Sequence, residues 1–212
     1  MGSTLASDRL RVSTHPLVQL RLRELRDRAT RPDRFRRLVR ELALLLGVEA
    51  LADLPVRETP VQTPLEQTTG AIPALRLALV PVLRAGLGMS EGLLELLPDA
   101  RVLHFGAARD EATLRPRVYY ALPDPGSIER ALVLDPMLAT GGSACAALDA
   151  LQAAGVRDTR LLCLIAAPEG VRAVARAHPE TRIHLAALDR GLDEQGFIRP
   201  GLGDAGDRQF GT

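Results

Sequence analysis

Arg130–Leu151 reads RALVLDPMLATGGSACAALDAL, and its interpretation decides the fold. Ala131 to Leu134 form a short apolar run of the kind a parallel strand needs when both of its faces are covered. Ala144 to Leu151 carry the small and apolar residues of a following helix. Between them lies Asp135-Pro136-Met137-Leu138-Ala139-Thr140-Gly141-Gly142-Ser143. Thr140 and Ser143 supply hydroxyls, while Gly141 and Gly142 let the backbone turn tightly enough for several N–H groups to converge on one anion at a helix N-terminus. The loop reads as a phosphate cradle with an acid beside it. The plainer alternative is an ordinary βα turn closed by a Ser or Thr cap, since such caps open most helices.

Composition narrows the field around this loop. The 212 residues, 46% of them apolar, suffice for one α/β domain spanning 1–212. A formal net charge of +1 provides no field for nucleic acid or a membrane surface, so affinity for anions has to come from a local pocket. All 27 basic residues are arginine, which excludes a Walker phosphate loop and any Schiff-base lysine. Cys145 and Cys163 have no metal-ligand spacing and suit small apolar roles in a reducing compartment. Met1 to Leu10 lack the apolar core of a signal peptide, and no run of 18 apolar residues occurs, so a soluble cytoplasmic protein is expected.

Upstream, Leu17, Leu20 and Leu25 mark a helix studded with arginines, and Thr30, with Pro32 and Asp33 just inside, reads as the cap of the next. Phe35, Leu38, Val39, Leu42, Leu45 and Leu46 give that helix an apolar stripe that needs a core or a partner chain to cover it. Pro55 to Gly70, rich in Thr and Pro, reads as irregular or edge-strand structure, an arm fit to reach over a neighbour. Leu75 to Leu83 is expected to be a strand leading into Arg84-Ala85-Gly86-Leu87-Gly88-Met89 and a helix ending near Leu97. Arg84 therefore falls where open α/β sheets collect ligands, above the carboxyl ends of their strands, and is a candidate anion clamp. Arg101 to Gly106 reads as a further strand, with Val118 to Leu122 returning as its hairpin partner.

Downstream, Thr159 to Ala166 reads as a strand, Pro168 to Ala177 as a helix and Ile183 to Leu188 as another strand. This alternation implies right-handed βαβ units and a mostly parallel sheet flanked by helices. His15, His104, His178 and His184 are scattered and read as structural. Gly201, Gly203 and Gly206 match a dinucleotide-binding pattern only formally, because that pattern needs a helix and a further strand after it and only six residues follow Gly206.

The tail PGLGDAGDRQFGT, together with PVLRAGLGM, ARDE, DPMLATGGS and APEG, resembles the uracil phosphoribosyltransferases over most of the chain from Val80 to Thr212. The resemblance implies a type I phosphoribosyltransferase architecture with N-terminal helices, a β-arm and a C-terminal base-binding hood formed by residues 189–212. It implies that Arg84 and Arg109 contact the pyrophosphate of phosphoribosyl pyrophosphate (PRPP), that Asp135 to Ser143 hold the ribose and its 5′-phosphate, and that Asp204 helps hold PRPP. Uracil would be read by main-chain groups at Ile198, Gly203 and Ala205, beside Asp204. Mg²⁺ would be the cofactor, bound through PRPP rather than by the protein. GTP is a further partner that the resemblance raises as an effector, and a homodimer or larger homo-oligomer is expected. Ala108 stands where that family often has Tyr, Val48-Glu49-Ala50-Leu51 departs from its Tyr-Glu-Ala-Thr, and Arg199 adds a charge beside the base loop. The rival class is a regulatory nucleotide or RNA-binding protein on the same fold, against which the balanced charge argues. A transferase acting on a different base is the nearer alternative.

Overall fold

The computed structural model describes residues 9–109 and 116–212, without the side chains of 108, 109 and 116. The chain opens with a short strand β1 (Leu10–Val12) and two helices, α1 (Pro16–Arg26) and α2 (Pro32–Ala50). Pro16 suits the first turn of α1, and His15 Nδ1 caps it by accepting from the Leu17 N–H at 3.2 Å. Thr30 does not cap α2 as its sequence position predicts. Arg31 occupies the cap site without a side-chain bond, and Thr30 Oγ1 instead donates to the Glu24 carbonyl at 2.6 Å, closing the turn between the helices.

The stripe Phe35, Leu38, Val39, Leu42 and Leu46 is fully buried within the protein's own core. Its helix lies against the sheet, so the stripe needs no second chain to cover it, contrary to one ground for expecting a dimer. The Thr/Pro-rich arm is more regular than its composition predicts. Strands β2 (Val56–Gln62) and β3 (Gln67–Pro73) pair antiparallel from Val56↔Pro73 to Gln62↔Gln67, forming a hairpin separate from the main sheet. Its surface is largely exposed, and Leu65 near the tip is 94% exposed.

The central layer follows as β4 (Leu77–Leu83), α3 (Leu87–Leu96), β5 (Arg101–Val102), β6 (Phe105–Arg109) and β7 (Pro116–Tyr120). After these come β8 (Arg130–Leu134), β9 (Met137–Leu138), α4 (Gly142–Ala153), β10 (Asp158–Ala166), α5 (Pro168–Ala177) and β11 (Arg182–Leu188). The expected single strand Arg101 to Gly106 is interrupted at Leu103 and His104, although the Leu103 N–H still bonds to the Leu79 carbonyl at 2.9 Å. A small hairpin, β12 (Gly191–Leu192) and β13 (Ile198–Arg199), and a terminal helix α6 (Ala205–Phe210) complete the chain.

The main sheet runs β1-β11-β10-β8-β4-β6-β7, with β5 also on β4 and β9 on β10, and only the β6–β7 pair is antiparallel. Strands β4, β8 and β10 are apolar on both faces because helices cover both. Leu77, Leu79, Leu132, Leu134, Leu162 and Leu164 point to α1, α2 and α3, while Ala78, Val80, Val133, Leu161 and Cys163 point to α4 and α5. From β4 the chain moves to β6 on one side, and from β8 to β10 on the other. The order therefore reverses between β4 and β8, the place where open α/β sheets bind ligands. Among the described residues no helix is long and apolar enough to cross a membrane.

Candidate active site at the carboxyl ends of β4 and β8

Strands β4 and β8 are paired in parallel from Leu77↔Arg130 to Pro81↔Leu134, so the loops that follow them leave the sheet side by side. The two loops also touch. A Cβ on Gly86 would lie 2.3 Å from the Leu134 carbonyl oxygen, so only glycine lets the turn after Arg84 rest on the end of β8. Above them opens a cavity of about 230 Å³. Val82, Leu83, Ala85 and Ala107 form one wall, Asp135 and residues 137–144 the floor, and Gly196, Phe197, Ile198, Asp204, Ala205 and Gly206 the opposite wall.

The floor is the loop between β8 and α4. Met137 and Leu138 form the two-residue strand β9 against Ile165 and Ala166 of β10. Pro136, which is not on the cavity wall, accepts from the Leu164 and Ile165 N–H groups at 3.1 Å, and the Leu138 carbonyl accepts from Ala167 N–H at 2.9 Å. The loop is thus tied to a neighbouring strand before it reaches Thr140. Gly141, at φ +86°, is the N-cap of α4, with no side-chain cap bond, and Thr140 and Ser143 both line the cavity. Gly170 of α5 supports the loop from below. A Cβ there would come within 2.5 Å of the Ala139 carbonyl oxygen, which explains the glycine in Pro168-Glu169-Gly170.

Asp135 sits at the head of this floor, its carboxylate accepting from the Met137 N–H at 3.2 Å. Burial pushes its pKa up to about 6, and the Met137 hydrogen bond only partly opposes this. Among the described residues no cation pairs with this carboxyl, and burial sets the direction of its shift.

The opposite wall comes from the tail. Ile198 and Ala205 are buried wall residues, and Asp204 caps α6 by accepting from the Asp207 N–H at 2.9 Å. Gly203 lies outside the cavity wall and is exposed, with φ +80°; a Cβ there would meet only Arg208 Cδ at 3.4 Å. Its glycine is required by backbone conformation rather than by crowding. Crowding instead falls on Gly201, where a Cβ would lie 2.1 Å from the Ile198 carbonyl oxygen.

Arg84 stands at the rim, 57% exposed, with Nη2 3.4 Å from Asp207 Oδ1 and the guanidinium 5.7 Å above the Phe210 ring. An exposed ion pair of this length is worth little and is readily exchanged for a phosphate. Arg109 ends β6, the strand beside β4, while Asp110 and Glu111 of the ARDE motif lie outside the described residues. Sequence reading missed Gln209, a buried amide on α6 that donates to the Ala85 carbonyl at 2.8 Å and so joins the tail to the Arg84 loop. A glutamine three residues from the end of a glycine-rich tail carries no signal of burial, so only the packing reveals it.

The mostly parallel sheet, with the Asp135–Ser143 loop at its switch point, has the type I phosphoribosyltransferase fold. The fold is similar to that of a hypoxanthine-guanine phosphoribosyltransferase from Bacillus anthracis, with a TM-score of 0.50 and 10% identity over 73% of this chain and 79% of that one. A solved Aquifex aeolicus protein is more similar, at TM-score 0.88 and 35% identity over 95% of this chain and 97% of its own. A family model described as Uracil phosphoribosyltransferase matches residues 12–212, and the chain belongs to that family. Relatives named uracil phosphoribosyltransferase include one from Symbiobacterium thermophilum, 52% identical over 96% of this chain and 99% of its own. Another, from Roseiflexus sp., is 54% identical over 95% of this chain and 97% of its own.

The raised pKa of Asp135 has a consequence for stability. Its carboxyl titrates near 3.8 when unperturbed and near 6 in the fold, so the folded state holds the proton more tightly. The contribution to stability is greatest below about 3.8, falls as pH rises toward 6 and is flat above. Asp135→Asn, uncharged throughout, is expected to remove this slope and to be more stable than wild type at pH 7.5 by about 1–2 kcal/mol, the lower part of what such a shift allows because the cavity is open to water. Urea unfolding at pH 4.5 and 7.5 measures both proteins, and a variant less stable at pH 7.5 would contradict this account of Asp135.

Proposed function

We propose that the cavity between β4, β8 and the tail transfers the 5-phosphoribosyl group of PRPP to uracil, giving UMP and diphosphate in pyrimidine salvage. The observation that carries this reading is the convergence, on one cavity, of the Asp135–Ser143 loop and the Ile198–Ala205 segment from distant parts of the chain. The loop at the start of α4 suits a 5′-phosphate, because unpaired N–H groups and the helix dipole both favour an anion there. Asp135 would accept hydrogen bonds from the ribose hydroxyls and fix the ring. A uracil ring nitrogen attacks the anomeric carbon and gives up its proton to solvent, and the carbon–oxygen bond to diphosphate breaks with its electron pair leaving on oxygen. Arg84 and Arg109 would contact the PRPP diphosphate, where guanidinium groups stabilise the charge that builds, and Asp204 would help to hold PRPP.

A Mg²⁺ ion arriving on the diphosphate would neutralise part of that charge. Among the described residues no group of three or more His, Cys, Asp or Glu side chains gathers to hold a metal alone. The ion would stay on the PRPP phosphates and water, with no direct protein ligand. The chain is taken to act as one 1–212 unit in the cytoplasm, with GTP as a proposed effector to be tested by adding it to the assay.

Base choice is assigned to main-chain groups of residues 198–205, which cannot reverse polarity as a rotating amide can. Cytosine exchanges a carbonyl for an amino group and a ring N–H for a lone pair, leaving buried partners unmatched, and such sites reject analogues by about 10⁴-fold. UMP formation from uracil and PRPP, dependent on Mg²⁺, with almost no product from cytosine, is the expected result. Absent turnover of uracil, or equal use of cytosine, would overturn the reading.

Arg84→Ala removes one charge-assisted contact to the leaving group from a side chain that is exposed and makes only a weak ion pair. Turnover is expected to fall about 10²- to 10³-fold with the fold intact. Wild-type kinetics in the folded variant would remove Arg84 from the mechanism.

With the α2 stripe accounted for, the proposed oligomer rests on the β2–β3 arm, whose Val56, Val61 and Leu65 are exposed. Light scattering at micromolar concentration is expected to give a dimer or larger species, and Leu65→Asp to weaken it. A monomer would end this proposal.

A further inference from the structure

The segment that follows β13 has little regular structure to hold its shape, yet it has to present main-chain groups in fixed positions. Gly201 and Gly203 both take positive φ, at +69° and +80°. What holds the segment is an ion pair outside the cavity wall. Arg26, the last residue of α1, places Nη1 2.9 Å from Asp189 Oδ2 and Nη2 2.6 Å from Asp189 Oδ1, and Asp189 follows β11. The same two side chains take both polar groups of one residue. The Gly201 N–H donates to Asp189 Oδ2 at 3.0 Å, and the Gly201 carbonyl accepts from Arg26 Nη1 at 2.7 Å. Arg208 holds the next carbonyl, Leu202, at 2.7 Å and is itself anchored to the Leu25 carbonyl at the end of α1 at 2.9 Å.

We infer that Arg26 and Asp189 are positioning residues that set the register of the base-reading backbone, an inference that rests on the uracil reading above. A residue gripped at both its N–H and its C=O cannot rotate without breaking a charge-assisted bond. Gly201 lies between Ile198 and Ala205, which both face the cavity, so its orientation governs theirs. The Asp189 side chain is 5% exposed and that of Arg26 is 23% exposed, so water does not easily replace either partner. The phosphate loop hangs instead on β10 and Gly170 and does not depend on this pair. Loss of the pair therefore weakens uracil binding while sparing PRPP.

The test uses the full chain with Arg26→Ala, Arg26→Lys and Asp189→Asn. Arg26→Ala is expected to raise KM for uracil about 10- to 100-fold, with KM for PRPP and kcat at saturating uracil within about 3-fold of wild type. Millimolar guanidinium is expected to restore part of the loss. Arg26→Lys keeps the charge but cannot span both carboxylate oxygens and the Gly201 carbonyl, so the same split with a smaller rise is expected, and it carries the test if the alanine variant does not fold. An unchanged uracil KM, or equal rises for both substrates, would overturn the inference. Amide hydrogen exchange separates this from the activity itself: faster exchange at Gly201 in the variants is expected whether or not wild type uses uracil, and unchanged exchange would overturn the clamp.

Discussion

The parallel pairing of β4 with β8 is the constraint on which the rest depends. Its register, ending at Pro81↔Leu134, sends the Arg84 loop and the Asp135 loop out of the sheet together. Because neighbouring strands continue in opposite directions from this pair, no crossover covers the crevice, and the tail is left to close it. Glycines at 86 and 170 then bring the loops within contact of backbone on β8 and on the floor, where any side chain would collide with a carbonyl. A loop of this kind, with glycines and a helix N-terminus, can offer backbone N–H groups to an anion without lysine, which the chain does not contain.

The absence of lysine also shapes the scaffold. Guanidinium groups, with five donors in a rigid fork, bind a carboxylate and a carbonyl at the same time, which an ammonium does less well. Arg26, Arg36 and Arg208 hold the Gly201, Gln209 and Leu202 carbonyls, tying the tail to the N-terminal helices. At the opposite end of the sheet the buried Arg160 binds Asp53 at 2.6 Å and also donates to the Ala50 carbonyl, closing the end of α2 onto β10. That arginine holds the Asp53 carboxyl far below the ordinary carboxylate range. The N-terminal helices therefore brace the tail wall of the cavity, although none of their residues faces it.

Asp135 shows what this site asks of the fold. A carboxyl placed where burial raises its pKa to about 6 makes the empty site less stable at neutral pH than a neutral side chain would. The strain is tolerated because the surrounding core, with Leu132, Val133 and Leu134 fully buried on β8, holds the strand in place whatever the state of the acid. Burial and ionisation are opposed at this one residue.

The sequence by itself determined the alternation of apolar strands and helices, the loop from Asp135 to Ser143, the rim position of Arg84 and the family. These are local patterns: a run of four apolar residues before an acid and two glycines has few other ways to fold. Pro168–Ala177 matches its expected bounds because a proline at its first turn marks where it begins. Tertiary structure alone decided which partners distant segments would find. It turned the α2 stripe inward, moved the cap of α2 from Thr30 to Arg31, put the crowding of the tail at Gly201, and joined Arg26 to Asp189 across 163 residues. Those outcomes depend on which charged groups lose water together when the sheet and helices close. No spacing along the chain encodes that.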